Sequence, residues 1–391
     1  MPNVNNFEFV QLSATLAEML HQATGQSVQA PINTGEFVSV GQTLLKTGYE
    51  PAMNAISQVL ARTIFSVRPY TRKFGGLFVD SRKWGNHVRK INYLDADPVD
   101  DAGLAPADAS SVDPFIVSKP KIIQTNFYGR TDYERKTTVF RDQLDAAFTS
   151  PDEFASFIAG QMQNVSDQIE QDHETTARAT MANLIAGIAK QANAQQNIHL
   201  LTEYNAATGG EYTSTTIQAP SVFPAFMKWV YARIASISSL MSERSINFHT
   251  NITAGNFIRH TPMARQKVFM YAPAKFETEA RVLADTYHEN YIRDASNEIV
   301  NFWQSIKTPD KVSAKPSYIT ADGTITTETT QVDVANVFAV LMDEEAAGIS
   351  VCNYDVGSIY NPRGRYANTF WNFQDRYWND FTENAVVFTL D

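Results

Sequence analysis

Residues 150–190 read SPDEFASFIAGQMQNVSDQIEQDHETTARATMANLIAGIAK, and the reading of this stretch decides the fold. It opens on Ser150-Pro151-Asp152-Glu153, a capping box with proline at the first helical position. The serine hydroxyl can accept from the Glu153 amide while the glutamate side chain returns to the serine amide. Phe154, Phe157, Ile158, Met162, Val165, Ile169, Thr176, Met181, Leu184, Ile185 and Ile188 then recur at helical spacing on one stripe, up to about Lys190. Roughly 40 residues at 1.5 Å each make a rod of ~60 Å. Few compact enzymes need such a rod, although an ordinary helix spanning a large core would show the same pattern.

Upstream, the first 65 residues read as an arm with two short helices. One carries Leu12, Leu16, Met19 and Leu20 and stops near Gly25; the other starts at Glu50-Pro51, with Met53, Ile56, Val59 and Leu60 at helical spacing. Gln26 to Gly41, between them, reads as extended. From Phe65 to about Phe140 the period shortens, and Phe115-Ile116-Val117 and Lys121-Ile122-Ile123 adjoin a stretch rich in Asp, Ala, Pro and Gly, which predicts a long hairpin with a polar tip. Downstream, the pattern predicts helices near Pro224–Met241 and Phe276–Tyr291 and strands at Lys267–Tyr271, Val337–Met342 and Ala385–Leu390. It also predicts an exposed hairpin around Asp322-Gly323.

Composition sets the outer limits. The chain has 391 residues, 43% hydrophobic and 19% charged, which excludes a disordered or low-complexity polymer. Lys and Arg total 32 against 42 Asp and Glu, a formal charge of −10, so affinity of the whole surface for nucleic acid or anionic lipid is not expected. Cys352 is the single cysteine, which rules out an intramolecular disulfide and thiolate zinc clusters and fits a reducing compartment. No Lys or Arg precedes Lys46 and no apolar run approaches the ~18 residues that cross a bilayer, so a soluble chain without a membrane partner is expected.

Tests for chemistry fail one by one. His173-Glu174 lacks the second histidine at i+4 that a zinc-protease helix needs, Ala177 standing there instead, and reads as a helix-surface histidine. Gly35 to Thr43 is one residue too long between its glycines for a phosphate loop and has Gln42 where the lysine belongs. The acidic run Asp95, Asp97, Asp100 and Asp101 lacks the glycine and distal glutamate of a calcium loop. No cofactor or metal is therefore expected, and no catalytic residue is singled out.

Two distributed features say more. Arg68, Arg72, Lys73, Arg82, Lys83, Arg89 and Lys90 fall among residues 68–90 with a single acid, Asp80, whereas residues 94–113 hold six aspartates and no base. Such a segment can lie head to tail along an identical neighbour, base against acid; two independently solvated charge runs are the plainer alternative. The second feature is aromatic. Tyr360, Tyr366, Phe370, Trp371, Phe373, Tyr377, Trp378, Phe381 and Phe388 crowd the C-terminal end, as core or interface rings, or else as a sugar-stacking platform of a carbohydrate-active enzyme with Asp375, Asp380 or Glu383 as acid and base.

The order of elements, from Phe65 to Asp391, resembles the major capsid proteins of tailed bacteriophages, an α+β architecture of the Hong Kong 97-like fold. Phe140-Arg141-Asp142-Gln143-Leu144-Asp145-Ala146-Ala147-Phe148, Ser150-Pro151, Ser166-Asp167-Gln168-Ile169-Glu170 and Arg376-Tyr377-Trp378-Asn379-Asp380-Phe381-Thr382-Glu383-Asn384 are similar in wording to capsid proteins of phages of gut bacteria. The resemblance implies an N-terminal arm (1–65), an extended loop (66–140), a peripheral domain with the spine helix (141–198), an axial domain (199–331) and return strands (332–391). It implies a non-enzymatic virion protein that assembles in the host bacterial cytoplasm into hexamers and pentamers of an icosahedral head around double-stranded DNA, without sequence specificity. A separate scaffolding protein and a portal are the further partners it implies, since the arm is shorter than a scaffolding extension. Another phage structural component, of the tail or a decoration, is the related alternative.

Overall fold

The computed structural model of the chain describes residues 29–46, 73–79, 88–94, 122–148, 151–191, 193–252, 257–273 and 296–391, together with 14, 16–18, 20, 21 and 115. The main helices are α1 (Thr34–Lys46), α2 (Arg141–Ala147), α3 (Pro151–Gln191), α4 (Leu200–Thr208) and α5 (Phe223–Met241). The strands are β1 (Phe78–Val79), β2 (Val88–Tyr93), β3 (Ile122–Phe127), β4 (Arg130–Phe140), β5 (Asn197–His199), β6 (Gln266–Tyr271), β7 (Ser296–Val300) and β8 (Val312–Ala314). They continue with β9 (Ser317–Ile319), β10 (Ile325–Thr327), β11 (Val332–Val334), β12 (Val337–Asp343), β13 (Ala347–Asn361), β14 (Tyr366–Asn379) and β15 (Ala385–Thr389).

The core is a five-stranded sheet in the order β5-β15-β12-β6-β7. Its central strands are apolar at nearly every position because both faces are covered. Phe269, Val340, Met342, Ala385 and Val387 pack with the C-terminal half of α3 through Met181, Leu184, Ile185 and Ile188. Val268, Met270, Leu341, Val386 and Phe388 turn to the other face, against α4 and α5 through Leu201, Tyr204, Phe226, Met227, Val230, Ile234 and Ile237. A register shift between Val337 and Ala339 lets Phe338 and Ala339 both join the second face.

A second sheet, β1-β13-β14-β4, receives the N-terminal half of the same helix. Val165 and Ile169 pack on Trp371 and Phe373, with Tyr133 and Val356 beside them. The 41 residues of α3, ~60 Å at 1.5 Å per residue, therefore bridge both sheets. The expected long helix, α5, the hairpin around Gly323 (φ 82) and the three expected strands are all present.

Several expectations are corrected. Residues 34–46, read largely as extended, are helical. Asn33 Oδ1 accepts from the Glu36 amide at 2.9 Å while Glu36 reaches back to the Ile32 amide at 3.0 Å, a capping arrangement that outweighs two glycines. Gly41 is needed for packing rather than for a phosphate, since a Cβ there would meet the Phe148 ring at 2.7 Å. Residues 130–140, assigned to the hairpin, form β4, which pairs along its whole length with β14 in the body. His173 is buried, not on the helix surface. The Ser150 cap, the helix at Glu50-Pro51 and the helix at 276–291 lie outside the described residues.

Candidate functional site

The hairpin is a two-stranded sheet, β2 against β3, from Val88↔Phe127 to Tyr93↔Ile122. Its register sorts the side chains by face. Arg89, Ile91 and Tyr93 point outward and are exposed, as is Ile122, while Val88 and Asn92 are buried and Lys90 lies between them on the inner face. Of the charged residues singled out in the sequence, Lys73, Arg89 and Lys90 are described; Arg68, Arg72, Arg82, Lys83, Asp95, Asp97, Asp100 and Asp101 lie outside the described residues.

The three described bases have different roles. Arg89 and Lys73 are exposed, the latter donating its backbone N–H to Glu174 at 2.8 Å. The Lys90 ammonium sits 3.0 Å from Glu345 and 3.0 Å from Asp380 and donates to Glu383, all in its own chain. Arg259 lies 3.0 Å from Glu383, and Arg265 donates to Glu344 and Glu345 at 2.7 and 2.6 Å. Burial alone would lower an ammonium, but Asp380 and Glu383 outweigh it and hold Lys90 above the usual lysine range. Burial pushes the Glu383 carboxyl up, against the pull of Lys90 and Arg259. Glu345 resists the same upward push of burial and is held below its ordinary value by Lys90 and Arg265. Lys90 and Glu383 stand 293 residues apart, so no spacing rule links them.

Of the C-terminal rings, Trp371, Phe373, Trp378, Phe381 and Phe388 are buried in the core, while Tyr360, Tyr366, Phe370 and Tyr377 are half-buried. Asp375, Asp380 and Glu383 are buried too. Asp375 accepts from or is paired with His173 Nδ1 at 2.7 Å, and the other two belong to the Lys90 cluster. Beside His173 on α3, Asp172 receives the Arg135 Nε at 2.6 Å and Glu174 receives Arg178, whose guanidinium stacks 3.6 Å from the Phe302 ring centre. Glu174 and Arg178 form an i,i+4 pair that helical spacing allows, whereas Asp375, Arg135 and Phe302 come from other segments, which helical position does not predict. Among the described residues no group of His, Cys, Asp or Glu could hold a metal ion, and no helix is long and apolar enough to cross a membrane.

The chain thus has a bridging helix with one sheet on each half and a separate hairpin tied to the body through Lys90. The capsid structure of Staphylococcus phage Andhra matches with a TM-score of 0.54 at 10% identity, covering 83% of this chain and 86% of that one. A chain in the structure of the head fiber and inner core protein of native bacteriophage P68 matches at 0.52 and 10% identity, covering 82% and 85%. At that identity the likeness is one of fold. No curated protein matches the sequence. The family described as Phi29-like phage major capsid protein matches residues 14–389, nearly the whole chain, and the chain belongs to that family.

Proposed function

We propose that this capsid chain associates with copies of itself into hexamers and pentamers of an icosahedral head enclosing double-stranded DNA. The family match over residues 14–389 carries this reading. In it, residues 1–65 are an arm, 66–140 an extended loop whose last strand, β4, is seated in the second sheet, 141–198 a peripheral domain on α3, 199–331 an axial domain and 332–391 the return strands. The loop supplies contacts between subunits: Arg68, Arg72, Lys73, Arg82, Lys83 and Arg89 of one copy meet Asp95, Asp97, Asp100 and Asp101 of the next, while Lys90 serves its own chain. An exposed pair contributes only ~0–1 kcal/mol, but repetition over every copy sums such contacts into a cooperative term. A scaffolding protein and a portal take part in assembly in the host bacterial cytoplasm, DNA is held without sequence specificity, and the chain turns over no substrate.

Sedimentation of the purified protein over a range of salt, with negative-stain images of the heavy fraction, tests this. Capsomers or shells are expected; a monomer at every concentration and salt would overturn it.

A further inference from the structure

The two body sheets end on strands of very different length. Among the described residues the five-stranded sheet ends on β5, of three residues, and β7, of five, and one edge of the second sheet is β1, of two. The other edge of that sheet is β4, of 11 residues, about 36 Å long at ~3.3 Å each. It pairs with β14 at every position from Arg130 to Phe140 without a bulge, and among the described residues no strand follows on its far side. Every second residue of β4 therefore turns its backbone N–H and C=O to an open edge. Edges are commonly kept short, bent by a bulge, interrupted by proline or covered. β4 has neither proline nor bulge, and its charges lie in an order that matches itself. Along the exposed face run Arg130, Asp132, Glu134, Lys136, Thr138 and Phe140. Arg130 and Asp132 satisfy each other at 2.8 Å, while among the described residues Glu134 has no ion partner and Lys136 has only the Phe370 ring, 5.8 Å away.

We propose that β4 is a pairing edge for a second copy of this chain, the two β4 strands running antiparallel about a two-fold axis at Arg135, so that Glu134 of each copy faces Lys136 of the other. The contact deepens the assembly reading and rests on it. In this register Arg130 lies opposite Phe140 and Asp132 opposite Thr138, and the two-fold axis repeats each pair. The stem of Arg130 then covers the exposed Phe140 ring, Asp132 faces a hydroxyl rather than a charge, and the two charges without an ion partner meet. On the inner face Arg135 meets its own copy, each guanidinium already held by Asp172 of its chain. Neighbouring registers are worse. Centred on Tyr133, the pair would set Asp132 against Glu134 and Arg130 against Lys136; centred on Glu134, it would set two glutamates together, and like charges directly opposite are destabilising. A shift of the other parity puts the exposed face of one strand beside the inner face of the next. The α3 helices leave room for the contact. Each rests on β14 through Val165 and Ile169, and the two β14 strands stand three strand spacings apart, about 14 Å, against ~8–10 Å between packed helices. Two four-stranded sheets thereby become one continuous sheet across two copies.

Sedimentation of the full-length protein, with negative-stain counts of particles, tests the pairing by charge exchange. Glu134→Lys and Lys136→Glu each turn both pairs into like charges and weaken association at least about tenfold, with circular dichroism unchanged. The double variant carrying Glu134→Lys and Lys136→Glu restores association to the parent's level, and so does an equal mixture of the two single variants, because each sets opposite charges across the edge again. Rescue by mixing is a response that independently solvated charges do not give. Single variants that associate as the parent does, or that weaken association without rescue, overturn the pairing; where the parent still builds shells, the assembly reading survives that result. A parent that stays monomeric at every concentration and salt overturns both.

Discussion

Val165 is fully buried where the first half of α3 meets the second sheet, and replacing it measures how much that contact contributes. Val165→Ala removes two buried methyl-sized groups, about 1.6 kcal/mol at ~0.8 each. The stiff aromatic walls of Trp371 and Phe373 cannot close over the gap, which adds a cavity term and brings the loss to about 2–3 kcal/mol. Val165→Asp loses the same packing and puts a carboxyl among those rings, where it lacks a partner at a cost of several kcal/mol more. Together these approach the ~5–15 kcal/mol that holds a domain folded, so Val165→Asp abolishes folding or assembly while Val165→Ala only weakens it. The introduced carboxyl has a raised folded-state pKa. Its penalty is therefore absent below the unfolded value near ~4 and grows with pH at up to ~1.4 kcal/mol per unit until the folded value is reached. Urea unfolding of both variants at pH 4.5 and 7.5, with particle counts by electron microscopy, gives the reading. Normal particles from Val165→Asp, or equal destabilisation by the two replacements, would refute the placement of this face.

Reversing Asp97, Asp100 and Asp101 to Lys impairs assembly and leaves circular dichroism unchanged; assembly equal to the parent at low salt would make the acidic run a solvated surface. His249 is buried, with Nδ1 3.1 Å from Asn384 Oδ1 and Nε2 donating to the Phe257 carbonyl at 2.7 Å, and burial depresses its pKa below 6.5. The unfolded chain therefore takes the proton first, so stability falls as pH drops through ~6.5 and levels off at the folded value; His249→Gln, compared with the parent by urea unfolding from pH 7.5 to 5, flattens that limb. Gly129→Ala places a methyl against the Tyr377 backbone carbonyl, which cannot rotate away, and costs about 1–3 kcal/mol, read as a lower melting temperature.

What the sequence reveals depends on how local the cause is. Strands β12 and β15 and helices α3 and α5 are legible because burial on two faces, or on one helical stripe, leaves a continuous pattern. Helix α1 was legible in principle: Asn33-x-x-Glu36 is a cap signature, but Gly35 and Gly41 drew the reading toward a loop. Strands β13 and β14 left a fainter trace. In β14, Ala367, Thr369, Trp371 and Phe373 turn inward while Asn368, Asn372 and Gln374 do not, an alternation that the count of aromatic rings obscured. The partners of Lys90 left no trace, since nothing in the surroundings of a lysine announces a glutamate 293 residues away.

The same contrast explains why α3 looked amphipathic and is not. Its second half is buried on nearly every side, and Asp172, His173, Glu174 and Arg178, which a helical wheel assigns to solvent, lie inside. Each meets a separate segment: Asp172 meets Arg135 on β4, His173 meets Asp375 on β14, Glu174 meets the Lys73 amide, and Arg178 meets the Phe302 carbonyl and ring. Apolar side chains of similar volume could pack there with equal or better stability, because desolvating a charge offsets most of what pairing returns. They could not fix the axial position of the helix. A long, uniformly apolar rod can slide by a turn against two sheets with little change in buried area, whereas moving Asp172 by one turn, ~5.4 Å, takes it away from Arg135 on β4 and leaves a buried charge unpaired. In a subunit whose rod spans both sheets, an error of register at one end displaces the other end, so the polar residues of α3 hold the two halves of the chain in a single relative position.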